Sequence, residues 1–169
     1  VILPAVRDPR LVTVRRGGTL TDADHGLLAL WAAECAEHVL HLFEAAAPGD
    51  ARPRDALAAV RGWVRGEVPM MRSRAAGGHA MGAARPLRGA PRFAAYAAGQ
   101  AGCVAHVAEH DLGAAAYALK AVMAAAGDPE AARVAECAWQ RSRLPDAVRD
   151  LVLEDQVRRN DICWSVFTD

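Results

Sequence analysis

Thirty-nine of the 169 residues are alanine, spread at close intervals from Ala5 to Ala147. Alanine has the highest intrinsic helix propensity, because fixing it costs no side-chain entropy. It also supplies little surface to bury, and aromatic residues make up only 5% of the chain. Such a chain is stable only if its helices approach one another closely. The composition therefore predicts an all-α protein in which short side chains set small distances between helix axes.

Local patterns divide the chain into elements. "TDADHGLLALWAAECAEHVLHLFEAAAPGD" is the strongest helix: Thr21 and Asp24 resemble a capping box at its start, and Pro48-Gly49 stops it. Leu28, Trp31, Cys35, Val39 and Leu42 recur at three-and-four spacing and form its apolar stripe. "RPRDALAAVRGWVRGE" reads as a second helix with Pro53 in its first turn. The following stretch is ambiguous, since Gly77, Gly78 and Gly82 weaken a helix and Pro86 and Pro91 bound a loop. Arg92 to Gly127 reads as one long helix or two in line, with a break at Asp111 to Gly113. Gly99 and Gly102 there would let another helix come close. Asp128-Pro129 and Pro145 open two further helices, and the apolar tail "DICWSVF" is expected to dock on the core. "RLVTVRRGGTL" alternates briefly and turns at Gly17-Gly18, as a short strand or extended arm would. The whole predicts a compact multi-helix bundle of six or seven helices. Residues 1–20 form a short extended N-terminal arm, and residues 21–169 a single all-helical domain.

Charge and apolar runs exclude several classes. Twenty basic and twenty acidic residues give zero formal net charge, which argues against a dedicated nucleic-acid binder. No apolar run approaches the roughly 20 residues of a membrane span, and the start lacks the pattern of a secretory signal. Cys35, Cys103, Cys137 and Cys163 are widely spaced with no CxxC pair, as expected of reduced thiols in a cytoplasmic protein.

Two polar sets have the spacing of chemistry. "HVAEH" places His106, Glu109 and His110 in the H-x-x-E-H order, in which two histidines bind zinc and the glutamate activates water. On a helix, positions i and i+4 share a face. A catalytic zinc needs a further protein ligand. Glu130, Glu136 and Glu154 are the only later glutamates, and none stands in a companion motif. On the first long helix, Glu34, His38 and His41 also share a face, beside Cys35. If the two segments met there, His38, His106 and His110 with nearby carboxylates would make a divalent-metal site of the bundle-core type. The plainer reading is favoured for both sets: histidines lining the boundary of a core, with no metal and no cofactor. "RRGGT" lacks the Gly-Lys-Ser/Thr of a phosphate loop, Gly62 and Gly66 lie among arginines, and no serine sits in a nucleophile elbow. Nothing marks a catalytic residue.

Three segments, in order, resemble a known family: "GGTLTDADHGLLALWAAECAEHVLHLFE", "AHVAEHDLGAAAYALKA" and "WQRSRLPDAVRDLVLEDQVRRNDICWSVF". They are similar to small Imm-5-like immunity proteins of bacterial polymorphic toxin systems. Asp24, His25, Trp31, Cys35, Glu37 and His38 match the first segment, and His106, His110, Gly113 and Tyr117 the second. Gly26, His41, Glu109 and Asp111 depart from the commoner forms. The resemblance implies an all-helical cytoplasmic protein that binds and neutralises a cognate protein toxin and is not an enzyme. Taken together with the spacing of the two polar sets, it leaves Asp24, His25, Glu34, Cys35, His38, His41, His106, Glu109 and His110 as the candidate functional polar cluster.

Two functions from different classes follow. A toxin-binding protein needs an exposed patch with Arg and aromatic anchors, and Arg61, Trp63, Arg65, Met70, Met71 and Arg72 are the candidate partner surface. The alternative is a metal-binding bundle, or metal-dependent hydrolase, using Glu34, His38, His106, Glu109 and His110. Small residues on several helix faces also permit a homo-oligomer.

Overall fold

The computed structural model describes residues 2–169. Among them, seven α-helices follow two short 3-10 turns, Pro9–Leu11 and Val14–Arg16. The helices are α1 (Asp22–Ala46), α2 (Arg52–Val64), α3 (Met70–Ala84), α4 (Gly89–Cys103), α5 (His110–Ala125), α6 (Pro129–Ser142) and α7 (Asp146–Arg158). The fold is all-α, a compact helical bundle, and none of these helices is long and apolar enough to cross a membrane.

Local chemistry explains most boundaries. Thr21 Oγ1 accepts a hydrogen bond from Asp24 N at 3.1 Å, which caps α1. Asp128 does the same for α6 through Ala131 N, also at 3.1 Å. Pro53 and Pro129 sit in first turns, where an N–H is not needed. Pro145 stands one residue earlier, at the N-cap of α7.

α1 is buried around much of its circumference because it divides two cores. On one side it packs with α2 to α5, where Ala29, Ala33, Ala36, Ala94, Ala98 and Ala118 are gathered around Val39, Leu40, Phe43 and Leu57. On the other, Leu28, Trp31 and Cys35 meet Leu112 and Leu119 of α5, Val148 and Val152 of α7, and Phe167 of the tail. The tail thus docks as its apolar pattern implies.

The arm departs from the strand reading. It makes two 3-10 turns and a single isolated bridge between Thr13 and Leu20, and it buries Ile2, Leu11 and Leu20 in the second core.

The glycine-weakened stretch forms α3. One of its glycines is needed by its neighbour: a Cβ on Gly77 would lie 2.6 Å from the carbonyl oxygen of Gly99, and one on Gly102 of α4 would lie 2.9 Å from Gly77 Cα. Backbone meets backbone here, and Ser73 Oγ donates across the contact to Gly102 O at 2.8 Å. At Gly77 the signal that argued against a helix was a packing requirement. Likewise Pro91 lies within the first turn of α4, which starts at Gly89.

The reading of Arg92 to Gly127 as in-line helix is also corrected. The chain breaks at 104–109 and folds back, so that α5 packs antiparallel on α4: Tyr96 meets Tyr117 with ring centroids 5.1 Å apart. No proline or glycine marks that turn. His25 Nε2 donates to Val104 O at 2.6 Å, and Arg159 Nη1 donates to Glu109 O at 2.9 Å. Side chains distant in sequence take up carbonyls that helical bonding would otherwise use.

Candidate functional site

His106, Glu109 and His110 lie in that turn and not on one turn of helix. His106 is in the bend, Glu109 precedes α5, and His110 is its first residue. The shared-face argument for zinc therefore loses its geometric premise. Glu109 is buried, and its Oε2 accepts from Arg7 Nε at 2.7 Å. His110 Nδ1 donates to Gln100 Oε1 at 2.7 Å. Burial, reinforced by the neighbouring His106 and Arg159, pushes the His110 pKa down to about 4, so the ring is neutral at pH 7. His106 is also lowered, by burial and then by Arg74, Arg16 and Arg7.

The α1 set faces a different neighbour. His38 stacks on Trp139 of α6, with centroids 3.6 Å apart, and its Nδ1 donates to Glu136 Oε2 at 2.9 Å. Glu34 accepts from Arg143 Nε at 2.6 Å. Cys35 is fully buried, and burial raises its thiol well above the ordinary range. His41 is exposed, and Asp24 is half-buried in the first turn of α1. Glu34 and His38 therefore look toward α6, away from the α4–α5 turn. Among the described residues, no three His, Cys, Asp or Glu side chains are grouped as a metal would require.

The two histidine-bearing segments do meet, through His25 and His106. Both line a cleft of about 170 Å³ with Thr13, Arg15, Arg16, Asp22, Trp63, Met70 and Ala105. The His25 ring meets the Trp63 ring edge-on at 4.7 Å, and its donated bond to Val104 O puts the proton on Nε2. His106 Nδ1 is buried with no hydrogen-bond partner among the described residues. The cleft thus joins part of the polar cluster to part of the candidate partner surface. Of that surface only Trp63 and Met70 line the cleft, while Arg61 pairs with Glu37 and Arg65 with Glu67. Met71, 52% exposed, lines a separate groove with Arg74, Ala75, Gly78 and Cys103, and Arg72 has no ion-pair partner among the described residues. Arg15 and Arg16, read in the sequence as part of a plain turn, form one wall.

Two further features escaped the sequence reading. Arg159 is held between Asp111 and Asp155, all three buried. Only the four-residue spacing of Asp155 and Arg159 on a helix hints at this in the sequence. The second is a groove between α4, α5 and the tail, lined by Arg88, Arg92, Phe93, Tyr96, Tyr117, Lys120 and Trp164. Its aromatic residues were visible individually, but they come from three segments.

Comparison with curated proteins and with solved structures finds no match. The family model described as Imm-5 like putative immunity protein matches residues 18–147, which include the Gly- and Arg-rich α2–α3 region as well as both histidine-bearing segments. The chain belongs to that family.

Proposed function

We propose that this chain is an immunity protein that binds a cognate bacterial toxin in the cytoplasm and neutralises it by occupation, without catalysing a reaction. The observation that carries the reading is the family match over residues 18–147. The state of the reactive side chains agrees with it. Glu109 is engaged by Arg7, His110 by Gln100, Ser73 by Gly102 O, and Cys35 is sealed in the core. These four groups serve the fold.

The docking face we assign is the one around the His25–His106 cleft. Trp63 and Met70 line the cleft and supply aromatic and flexible apolar anchors, and Met71 and Arg72 continue α3 from Met70 as an exposed apolar and a cationic contact. Interfaces concentrate their binding energy in such centrally placed anchors. The test is co-expression with each toxin gene found beside this chain's own gene. Growth rescue and a co-purifying complex are expected, weakened by Met71→Asp with Arg72→Glu. Absence of rescue by the wild-type chain would overturn the function. Full rescue by the double variant would move the interface elsewhere.

A further inference from the structure

The net charge of zero conceals a strong segregation. From Val68 to Ala108 there is no aspartate or glutamate, yet Arg72, Arg74, Arg85, Arg88 and Arg92 all fall there. From Leu112 to Gly127 the only charged residue is Lys120. Most arginines elsewhere are in ion pairs, whereas these five and Lys120 have none among the described residues. Since α3, α4 and α5 run antiparallel in turn, the C-terminal end of α3, the start of α4 and the end of α5 share one end of the bundle. Arg85, Arg88, Arg92 and Lys120 are therefore brought to that end.

Aromatic rings surround the charges there. The Lys120 ammonium lies 4.1 Å from the centroid of Trp164 and 4.8 Å from that of Phe93. Arg92 stands 5.4 Å over Tyr96 and donates to its hydroxyl at 3.2 Å. The groove between them encloses about 400 Å³ and opens to solvent. Trp164 is 43% exposed although its neighbours Cys163, Val166 and Phe167 are buried. It and Ser165 both hold φ at 57°, a left-handed conformation that L residues rarely adopt. Asn160 secures this turn: its carbonyl accepts from Ser165 N at 2.7 Å and its Oδ1 from Phe167 N at 2.9 Å. An unfavourable backbone is thus maintained to present an indole beside an unpaired cation.

We propose that this groove docks an acidic segment of a protein partner, its carboxylates meeting Arg88 and Lys120 and its apolar side chains lying against Trp164 and Phe93. The charge is complementary to an acidic strand, and the mixture of Trp, Tyr and Arg is that of interface anchors. A nucleic acid is disfavoured, because four cations at one end of a neutral chain give no extended track for phosphates. That the partner is the toxin rests on the immunity reading; the chemistry of the groove does not. The groove lies at the opposite end of α3 from Met70 and Met71, about 20 Å away at 1.5 Å per residue, so it is a second contact region.

The full chain is titrated by calorimetry with a decapeptide of alternating glutamate and leucine, with its lysine–leucine counterpart, and with a ten-nucleotide oligothymidylate. The acidic peptide should bind, more weakly as salt rises. Its affinity should fall about tenfold in Arg88→Glu with Lys120→Glu, while Arg72→Glu leaves it unchanged. Arg88→Gln with Lys120→Gln, a milder change, should weaken binding in the same direction and guards against a folding defect in the charge reversal. No binding of the acidic peptide, equal binding of the basic one, or tighter binding of the oligonucleotide would overturn the proposal. Rescue from the toxin by the wild-type chain tests the immunity reading separately, so the two can fail independently.

Discussion

Arg159, the C-cap residue of α7, reaches Asp111 at the start of α5, Nη2 to Oδ1 at 3.3 Å, and neither side chain is more than 1% exposed. The same guanidinium meets Asp155 at 2.7 Å and donates to the carbonyls of Glu109 and Ile2. One side chain therefore ties α7, the α4–α5 turn and the N-terminal segment together. Removing it leaves two buried carboxylates without their cation. Arg159→Met should cost about 3–5 kcal/mol, the usual loss when one member of a buried ion pair is deleted. Urea unfolding followed by far-UV circular dichroism measures this, and a loss below about 1 kcal/mol would show that the cluster does not hold these elements together.

Asp111 gives that cluster a sign that pH can reveal. Burial raises its carboxyl above the ordinary carboxylate value, with Arg159 acting in opposition. A group raised in the folded state stabilises most below its unfolded pKa of 3.8, and that contribution is lost as pH rises through the folded value. Asp111→Asn has no such dependence. The stability of the wild type minus that of this variant should therefore fall as pH rises from 4 toward neutrality. A difference that rises with pH, in favour of the wild type, would contradict the assignment.

His110 acts in the opposite direction. Its folded pKa of about 4 lies below the ordinary 6.5, so its contribution is present above pH 6.5 and lost as pH falls toward 4. At 1.36 kcal/mol per unit, the loss amounts to at most about 3 kcal/mol. His110→Gln, which can still donate to Gln100, should remove this part of the acid sensitivity. The check is the midpoint of urea unfolding at pH 7 and pH 4.5 in both proteins, and equal slopes would remove His110 as the cause.

Gly77 and Gly78 are neighbours with opposite expectations. A methyl at Gly77 would lie 2.6 Å from Gly99 O and 2.9 Å from Cys103 Sγ, whereas nothing lies within 4 Å of the same atom at Gly78. Gly77→Ala should destabilise by about 1–3 kcal/mol through forced separation of α3 and α4. Gly78→Ala should stabilise by about 0.5–1 kcal/mol through the lower entropy of the unfolded chain. Thermal unfolding of both variants decides it, and losses of similar size would mean that α3 does not cross α4 at this point.

Ser165, at φ 57°, sits in a conformation that glycine adopts without penalty. Ser165→Gly should gain up to about 1 kcal/mol if left-handed strain is present, with Trp164 fluorescence unchanged. A clear loss of stability would show that this turn is not strained.

Short-range order was legible because its causes are local. Alanine content and three-and-four spacing determine that the chain is helical, and the caps at Thr21 and Asp128 with the prolines near helix starts place four of the seven helices. The alternation that suggested a strand after Arg10 was misleading, since Leu11 and Leu20 are apolar for the sake of the second core. Similarly, Gly77 read as weakness until the partner backbone was seen.

The candidate sites were much less legible. His106 and His110 satisfy a helical spacing that the chain does not adopt, because His25 and Arg159 take the carbonyls of the intervening turn from 79 and 50 residues away. His25 and Trp63 become neighbours of His106, while Glu34 and His38 turn toward α6. Which residues are helical was set by the sequence alone, since backbone propensity, capping and periodicity act over a few residues. Where the chain reverses, and which histidines, arginines and indoles share a cleft, was decided only in the tertiary structure. Those contacts depend on pairs of side chains whose separation along the chain leaves no local mark.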